Sequence, residues 1–443
     1  MGYLDSSLCM IEGEKDIFLY NSRNGKKIKC SKVVKDILTG AEQGTVTEEE
    51  MASDYPGLYD MLRKLELVKS QRNEQEALGY DIDFIKGGGL IKSLRLNISE
   101  MCNLDCSYCY ERVTNHTIHR KNMDFSVARK AMDFFREVLI KNKSPQCMIR
   151  FFGGEPLINY PLMKECIEYI ENTFPEYIDK SYVVNTNGTL ITDEMCRFFK
   201  EYHVIVILSI DGLKEQHDVN RRYKNGTGSF EKVNQSIDLL AANGCITALT
   251  TVMTDQNFSH LKELIDYVAE KKSSYDFECK LSLNNVHICN KSGIVEKSLD
   301  ERLNYFFEAI EYAKKRNLDL SGGNTFMIFN NMMHGNNGRH CGGNGFELCV
   351  SPEGNIYGCG AAQSAFGTID EGMQLFSKPE YIFLATRNAD IVNKCKGCPI
   401  ASYCGGGCVA EAISAENAED EGDPEGCELE KRVFSFLVKE FIL

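Results

Sequence analysis

The sequence predicts an α/β protein built around a parallel sheet, with further domains before and after it. Three observations support this prediction. Strand-like and helical segments alternate through the middle of the chain, a short hairpin-and-helix pattern precedes them, and most cysteines outside these patterns fall in two dense groups. At 443 residues the chain exceeds one ordinary hydrophobic core, so two or three domains are expected.

Six strand-like segments are separated by helical patterns between residues 93 and 315. The predicted strands are Ser93–Ile98, Cys147–Phe152, Ser181–Asn185, Val204–Ile210, Ile246–Met253 and Lys280–His287. The predicted helices are Phe125–Lys141, Leu162–Phe174, Asp193–Glu201, Phe230–Asn243, Phe258–Lys271 and Leu299–Arg316. Strands that alternate with helices in this way pair in parallel through right-handed crossovers. Ligand-binding groups of such a sheet are expected at the carboxyl ends of its strands.

The sequence pattern of residues 1–70 predicts a small winged-helix-like module. Two alternating segments, 16–20 and 27–30, flank Asn24-Gly25, which is a strong hairpin signal. Three short helices are expected after the hairpin, at 31–38, at 47–51 with Thr47 as the N-cap, and at 58–65. Such a module can bind nucleic acid or serve only as a packing extension. Residues 71–92 are polar and end in three glycines, which predicts a linker.

Composition narrows the classes of partner. The formal net charge of −14 and the run of three glutamates at 48–50 disfavour nucleic acid, because phosphates would be repelled. The sequence has no secretory signal pattern and no apolar run of 18 residues, so a cytoplasmic protein without a membrane partner is expected. Without a signal peptide a disulfide framework is not expected, and nineteen cysteines then point to metal.

Cys102, Cys106 and Cys109 form a C-x3-C-x2-C triplet directly after the first strand of the α/β region. Four thiolates normally hold a cubane iron–sulfur cluster. Three thiolates in one short loop leave one iron without a protein ligand, and that iron can bind a small molecule and pass it an electron. A zinc knuckle is the alternative, since His116 and His119 follow, although a structural zinc site requires four ligands.

With its aromatic Tyr108 before the third cysteine, the triplet resembles the signature of radical S-adenosylmethionine (SAM) enzymes. The resemblance implies a partial (β/α)6 radical SAM barrel. It also implies that SAM's amino and carboxylate groups chelate the open iron. An electron from the cluster then cleaves SAM to methionine and a 5′-deoxyadenosyl radical, which abstracts a hydrogen atom from the substrate.

The same resemblance assigns SAM contacts to motifs at successive strand ends. The expected cofactor-binding residues are Tyr108, Gly153, Gly154, Glu155, Asn187, Ser209, Arg221 and Met253. For the two glycines the alternative is a tight turn before a helix. Arg221 would fork onto the SAM carboxylate, and its neighbour Arg222 is the alternative at that position.

The second cysteine group resembles the SPASM extension of radical SAM enzymes, which holds two auxiliary [4Fe–4S] clusters. Carried onto this chain, one cluster takes Cys341, Cys349, Cys359 and Cys408, and the other takes Cys395, Cys398, Cys404 and Cys427. Cys349 is the ligand most open to question, because some family members leave an iron open there. A pair of zinc ribbons is the alternative. Residues 316–443 are expected to be irregular, with a solvated acidic loop at 416–425.

The N-terminal module resembles the peptide-recognition domains of enzymes that mature ribosomally made peptides. Those domains capture a leader peptide as an added strand. The expected organisation is a recognition domain at 1–70, a linker at 71–92, the barrel at 93–315 and the SPASM domain at 316–443. The expected function is oxidative crosslinking of a precursor peptide through a carbon–carbon or thioether bond. The expected cofactors are SAM and three [4Fe–4S] clusters, with an external donor such as flavodoxin or ferredoxin supplying electrons.

Two alternatives to this function are open. The first is a sulfatase-type maturase, which oxidises a cysteine or serine to formylglycine and shares the barrel and both auxiliary clusters. The second is a non-catalytic metal-bound scaffold that binds a peptide. The sequence leaves open which residue is attacked, which bond is formed, which group acts as general base and how many subunits assemble.

Overall fold

The computed structural model describes residues 3–69, 81–109, 121–275, 277–286, 293–321, 323–335, 338–362, 364–410 and 424–443. Contacts divide the chain into two units. The larger unit contains Asp81–Gly323 and Cys341–Thr386, and the smaller unit contains Met1–Tyr80, Asn324–His340 and Arg387–Leu443. The first and last parts of the chain therefore belong to one unit. The boundaries at 70, 92 and 315 do not coincide with these units and stay a prediction.

The described strands, in chain order, are β1 Leu8–Glu12, β2 Asp16–Asn21, β3 Lys27–Ser31, β4 Ser93–Ser99, β5 Gln146–Gly153, β6 Asp179–Thr186, β7 Ile205–Ser209, β8 Thr247–Met253, β9 Cys279–Asn285, β10 Leu320–Ser321, β11 Glu347–Val350, β12 Asn355–Tyr357 and β13 Gly367–Thr368. The described α-helices, in chain order, are α1 Val34–Gln43, α2 Glu48–Asp54, α3 Pro56–Lys64, α4 Ile82–Lys86, α5 Phe125–Lys141, α6 Tyr160–Thr173, α7 Asp193–Glu201, α8 Lys214–Asn220, α9 Phe230–Ala242, α10 Leu261–Tyr275, α11 Leu299–Lys315, α12 Gly323–His334, α13 Pro379–Thr386, α14 Ala401–Cys404 and α15 Pro424–Phe441. No described helix combines the length and apolar composition that a bilayer crossing requires.

The parallel sheet predicted from the sequence is confirmed. β4 to β9 lie side by side in chain order, and every neighbouring pair is parallel. All six predicted helices form, and α5 and α7 have the predicted bounds. The predicted start of α10 is a short 3₁₀ turn at Phe258–His260, and the predicted strand end at His287 lies outside the described residues.

The expectation of an irregular C-terminal region is wrong for part of it. β11 pairs in parallel with β4, and β12 and β13 follow in antiparallel order, so within the described part of the chain the sheet has ten strands in the order β10-β9-β8-β7-β6-β5-β4-β11-β12-β13. The buried run Glu347–Val350 satisfies the backbone groups on the free side of β4. Most of the expected acidic loop at 416–425 lies outside the described residues.

The segment expected to be a linker is folded from residue 81 onward. Asp81 caps α4, accepting a hydrogen bond from the Phe84 backbone N–H at 3.0 Å, and Ile85 and Ile91 are buried. Gly88 has a φ of +72°, and a Cβ there would lie 2.6 Å from the ring of Phe376. The glycines therefore permit close packing on an aromatic ring and do not make this segment a flexible tether.

The smaller unit begins with an antiparallel sheet in the order β1-β2-β3, one strand more than the predicted hairpin. The predicted N-cap is confirmed, because Thr47 and Glu50 form a reciprocal capping box at the start of α2. Side chains of β2 alternate between two cores, as a two-sided strand requires. Leu19 joins Met51 and other residues of the first helices, whereas Tyr20 packs on the Tyr403 and Phe434 rings.

Replacing Gly88 with alanine should destabilise the larger unit by about 3 kcal/mol, because it adds backbone strain and a clash with the buried Phe376 ring. The matched control is Gly226→Ala, since Gly226 also has a positive φ but no atom within 4 Å of the added Cβ. Strain alone should cost about 1 kcal/mol there. The measurement is the free energy of unfolding in denaturant, and equal losses for both variants would contradict the packing role of Gly88.

Candidate active site

The cysteine triplet begins three residues after β4 ends, and all three side chains are partly buried. The Cys109 backbone N–H donates to the Cys106 carbonyl at 3.3 Å, which folds the loop tightly. Burial raises the pKa of the Cys106 thiol to about 12, and the Cys109 and Cys102 thiols act in the same direction. The three sulfurs therefore share one electrostatic environment, as ligands of a common centre would.

Gly153, which ends β5, and Gly154, which follows it, are required because two backbone segments nearly touch. The Gly154 N–H donates to the Ser99 carbonyl, and the Glu155 N–H donates to the Met101 carbonyl, both at 2.8 Å. A Cβ on Gly153 would lie 2.0 Å from the Ser99 carbonyl oxygen, and one on Gly154 would lie 2.6 Å from that of Met101. The end of β5 thus directly supports the start of the loop at residues 100–109, which carries the three cysteines and is the cysteine loop.

Glu155 joins the ends of β5 and β6 through a fully buried carboxylate. One oxygen accepts from the Leu157 N–H at 3.0 Å and the Thr186 hydroxyl at 2.7 Å, and the other accepts from the Asn187 N–H at 2.7 Å. Burial raises the pKa of Glu155 to about 7. Both oxygens have protein donors in this arrangement, so the structure gives Glu155 a supporting position, and its contact with SAM stays a prediction.

Asn187 lies against the cysteine loop. Its Nδ2 group donates to Asn103 Oδ1 at 2.9 Å and lies 3.8 Å from Cys102 Sγ. Its Oδ1 atom accepts from the Thr189 N–H at 2.9 Å, and Asn103 in turn donates to the Thr189 hydroxyl at 2.8 Å. The end of β6 therefore fixes the first part of the loop and points an N–H group toward its first sulfur.

Arg221 meets the second cysteine from the other side. It is buried, with Nε donating to Asp211 Oδ2 at 2.9 Å and Nη1 lying 4.0 Å from Cys106 Sγ. The Tyr108 hydroxyl donates to the same Asp211 oxygen, and the Arg221 guanidinium lies 5.4 Å from the Tyr108 ring centre. Burial alone would lower the pKa of Arg221, but the Asp211 carboxylate raises it above its usual value. The cation therefore stays charged beside the thiols.

The neighbouring arginine is placed differently, since Arg222 Nε donates to the Asp218 carbonyl at 2.8 Å. Of the two arginines, Arg221 is the one whose guanidinium the structure places beside a cysteine of the triplet. Its fork onto a SAM carboxylate stays a prediction. The backbone around both arginines also holds the loop, because the Asp105 N–H donates to the Arg222 carbonyl at 2.7 Å and the Ser107 N–H to the Asn220 carbonyl at 3.0 Å.

Ser209 and Met253 occupy the predicted strand ends but are not joined to the cysteine loop by any hydrogen bond recorded among the described residues. Ser209 ends β7, is half-buried, and pairs in register with Thr250. Met253 ends β8 and is buried. Asn284 on the next strand donates to the Thr250 hydroxyl at 2.6 Å, which continues the polar row that begins at Ser209. Their contacts with SAM stay predictions.

Asp211, His217 and Ser229 are polar residues of this site that the sequence interpretation did not assign. All three are fully buried. Asp211 lies two residues after the carboxyl end of β7, and this position is a recognisable signal for a functional carboxylate. Burial lowers the pKa of His217 to about 4, so its ring is neutral at pH 7. Nothing local in the sequence distinguishes Ser229 from other helix N-cap serines.

Three cysteines of the second group lie in the larger unit. Cys349 is buried on β11, with its sulfur 3.9 Å from Asn97 Oδ1 on β4. The Ala361 N–H donates to Cys359 Sγ at 3.4 Å, and burial raises the pKa of Cys359 while the Arg95 guanidinium opposes that shift. Cys341 belongs to the same unit, and Cys408 belongs to the smaller one. The predicted grouping of these four cysteines stays a prediction.

The other predicted set, Cys395, Cys398, Cys404 and Cys427, falls entirely within the smaller unit. Burial raises the pKa of Cys404 above its usual value, and the thiols of Cys395, Cys398 and Cys427 each add to the shift. Burial raises the pKa of Cys395 to about 11, with Cys398 and Cys427 again acting in that direction. These four sulfurs are therefore electrostatic neighbours, although their joint role as ligands stays a prediction.

The donor set at the triplet fits an iron–sulfur cluster. Among the described residues, no group of three or more His, Cys, Asp or Glu side chains is already arranged around a metal position. The chemical nature of the donor atoms therefore decides whether they fit a cluster. Thiolate sulfurs are the usual cluster ligands, and N–H groups and a guanidinium offset their charge here. The Leu104 N–H donates to Cys102 Sγ at 3.4 Å, and Asn187 and Arg221 approach Cys102 and Cys106.

Comparison with known families agrees with this chemistry. The radical SAM superfamily matches residues 96–268, which run from β4 into α10. A radical SAM cyclopropyl synthase, TigE, of Paramaledivibacter caminithermalis is 27% identical over 373 residues, covering 81% of this chain and 76% of that protein. A cysteine-type anaerobic sulfatase-maturating enzyme of Clostridium novyi is also 27% identical, covering 72% of this chain and 88% of that protein.

Two solved structures show the same fold. The sulfatase-maturating enzyme anSMEcpe with bound AdoMet and the Kp18Cys peptide has a TM-score of 0.63 at 23% identity, covering 79% of this chain and 98% of that one. Streptococcus suis SuiB bound to the precursor peptide SuiA has a TM-score of 0.57 at 16% identity, covering 96% of this chain and 99% of that one. The sequence match, which includes the cysteine loop and the strand ends around it, leads to one conclusion: residues 96–268 form a radical SAM domain.

Proposed function

We propose that this protein is a radical SAM/SPASM enzyme that oxidatively crosslinks residues of a ribosomally synthesised precursor peptide. The observation that carries the radical chemistry is the cysteine loop, which holds three partly buried thiols, with Asn187 near Cys102 and Arg221 near Cys106. When bound there, an open-iron [4Fe–4S] cluster with SAM supplies a 5′-deoxyadenosyl radical that abstracts a carbon-bound hydrogen.

The chain's own residues hold and aim that chemistry. Cys102, Cys106 and Cys109 supply the sulfur ligands. Nitrogen donors near the first two sulfurs stabilise their thiolate forms, because hydrogen bonds to the charged form favour it. Gly153 and Gly154 let the end of β5 approach the backbone of residues 99–101 closely, and this contact fixes the first part of the cysteine loop.

Forming a crosslink removes two hydrogens from the peptide in total. The radical takes one hydrogen atom, and the new bond releases one proton and one further electron. We propose that the C-terminal cysteines would hold an auxiliary cluster, which would supply an acceptor for this electron. The set Cys395, Cys398, Cys404 and Cys427 has the number and type of ligands that a four-thiolate cluster requires, and the thiols of Cys398 and Cys427 contribute to the raised pKa of Cys395 and of Cys404. The second auxiliary site would use Cys341, Cys349, Cys359 and Cys408.

Similar proteins support a peptide substrate. SuiB, whose structure matches 96% of this chain, is bound to a precursor peptide, and anSMEcpe is bound to the Kp18Cys peptide. The anSMEcpe match leaves about a fifth of this chain uncovered, whereas the SuiB match extends over nearly all of it. The similarity to SuiB therefore extends beyond the part of the chain that anSMEcpe matches, which favours a precursor-peptide enzyme.

Among crosslinks, a carbon–carbon bond receives support from one relative. TigE is a cyclopropyl synthase by name, and a cyclopropyl ring requires a new carbon–carbon bond. Formylglycine formation is the second candidate, because sulfatase-maturating enzymes match 72% of this chain at similar identity. The two reactions differ in product, since only the second leaves an aldehyde on the peptide.

The N-terminal module has a strand edge suited to leader capture. β3 is at the edge of its sheet, and the hydrogen bonds Asn21 N–H to Lys26 O and Lys32 N–H to Lys15 O set the pairing with β2. Bonded pairs alternate in an antiparallel ladder, so the Lys29 N–H and carbonyl point away from β2. An extended leader adding beside β3 would satisfy these groups.

Replacing Cys102, Cys106 and Cys109 together with alanine should abolish formation of 5′-deoxyadenosine from SAM under a strong reductant. About eight irons should remain per chain, at four per auxiliary cubane. The measurement is product chromatography with iron and sulfide analysis after anaerobic reconstitution. The control is wild-type protein with about twelve irons at full occupancy. Undiminished SAM cleavage in the triple variant would exclude the assignment, and wild-type protein that holds only zinc would favour the scaffold alternative.

Replacing Lys29 with proline should weaken leader binding at least about tenfold, because proline removes an outward N–H that a docked strand needs. The ladder between β2 and β3 does not use that N–H, so the sheet should persist. The control Lys29→Ala removes the ion pair with Asp16, at 3.1 Å, but keeps the N–H. Peptide binding is measured by fluorescence anisotropy. Equal affinity for Lys29→Pro and Lys29→Ala would overturn strand addition at β3.

A further inference from the structure

Hydrogen bonds through two buried side chains, His217 and Ser229, connect the two ends of the segment from Asp211 to Arg221. The Asp211 N–H donates to His217 Nδ1 at 3.2 Å, so the ring proton of His217 is on Nε2. His217 Nε2 lies 3.0 Å from Ser229 Oγ, and the Ser229 hydroxyl donates to the Arg221 carbonyl at 2.8 Å. Each group in this series donates to the next one, so the hydrogen bonds form a continuous chain from Asp211, the first residue of the segment, to Arg221, its last.

This segment is also the support of the cysteine loop. Asn220 and Arg222 accept backbone hydrogen bonds from Ser107 and Asp105, which flank Cys106. Arg221, between them, directs its guanidinium to within 4.0 Å of Cys106 Sγ while its Nε is held by Asp211. A shift of the Arg221 carbonyl would therefore move the guanidinium and both backbone supports together.

We propose that Ser229, acting with His217, is a positioning residue for the SAM-binding cluster. It fixes the Arg221 backbone, and through it the guanidinium beside Cys106, and thereby sets the reduction potential of the cluster. Among the described residues, the hydrogen bonds of the Ser229 side chain go to His217 and to the Arg221 carbonyl, and none goes to a cysteine of the triplet. The proposal rests on the proposed function, because it requires a cluster on Cys102, Cys106 and Cys109.

The direction of the effect follows from electrostatics. A cation and N–H groups near a cluster sulfur stabilise the reduced cluster, which carries the additional negative charge. Removing the Ser229 hydroxyl leaves the Arg221 carbonyl and His217 Nε2 without this partner, and the segment can relax away from the loop. Reduction should then become less favourable, although the charges in the pocket are the same as in wild-type protein.

The test is Ser229→Ala in the full chain, reconstituted anaerobically. The midpoint potential is measured by EPR-monitored titration of the signal that changes when SAM is added. The expected result is about a tenfold lower ratio of reduced to oxidised cluster at a fixed potential, which is about 59 mV for one electron. Ser229→Thr, which keeps the hydroxyl, should restore most of the wild-type value.

The matched control is Thr247→Val, which removes another buried hydroxyl that donates to a backbone carbonyl. Thr247 is the first residue of β8, so it lies at the end of that strand opposite to Met253. Thr247→Val should leave the potential unchanged. An unchanged potential in Ser229→Ala would overturn the proposal, as would an equal shift in Thr247→Val. If Ser229→Ala does not fold, Ser229→Cys must give a smaller shift in the same direction, and a wild-type value there would overturn the proposal. Absence of any SAM-responsive signal in wild-type protein would instead refute the proposed function.

Discussion

The fully buried carboxylate of Asp211 connects the segments that form the candidate active site. A buried charge is costly unless it is paired and hydrogen-bonded. Here Arg221 Nε donates at 2.9 Å, the Tyr108 hydroxyl donates to the same oxygen, and the Val252 N–H donates to the other oxygen at 3.1 Å. These donors come from the cysteine loop, from the residue after α8 and from β8. The geometry of the loop therefore depends on one anion whose partners cannot move independently.

Much of this site could be predicted from the sequence because its signals are local. The spacing of Cys102, Cys106 and Cys109, the glycines at 153–154 and the polar strand ends are each readable within a few residues. The partners of these groups are not readable in that way. That Glu155 would accept hydrogen bonds from the end of β6, or that Asp211 would hold both Tyr108 and Arg221, depends on contacts between residues far apart in sequence.

The same distinction explains the differences in the fold. Alternation of strands and helices predicts β4 to β9 because each element is amphipathic or apolar over its own length. The short strands β11 to β13 join the sheet only because β4 offers a free edge, which no local pattern reveals. The three glycines at 87–89 have the composition of a flexible linker, yet Gly88 is a site of close packing against Phe376.

The smaller unit links the predicted peptide-binding module to one set of C-terminal cysteines. Tyr20 of β2 packs against Tyr403, with ring centres 5.8 Å apart, and Tyr403 lies directly before Cys404. The Tyr403 hydroxyl donates to the Gly25 carbonyl in the turn before β3 at 3.0 Å. This shared core explains why point changes on β3 test leader capture better than deletion of residues 1–70, which would expose Tyr403 and Phe434.

The proposed function is the SAM-dependent oxidative coupling of two positions of a peptide. Its most direct test is mass spectrometry of a candidate precursor peptide, such as one from a short open reading frame beside this gene, after anaerobic incubation with the reconstituted protein, SAM and reductant. Crosslinking predicts loss of two hydrogens, no reaction of the product with an aldehyde-specific hydrazide, and missing fragment ions between the joined residues. A product that reacts with the hydrazide would contradict crosslinking and identify formylglycine formation. An unmodified peptide, in a reaction that cleaves SAM, would contradict the assignment of this peptide as the substrate of a crosslinking enzyme.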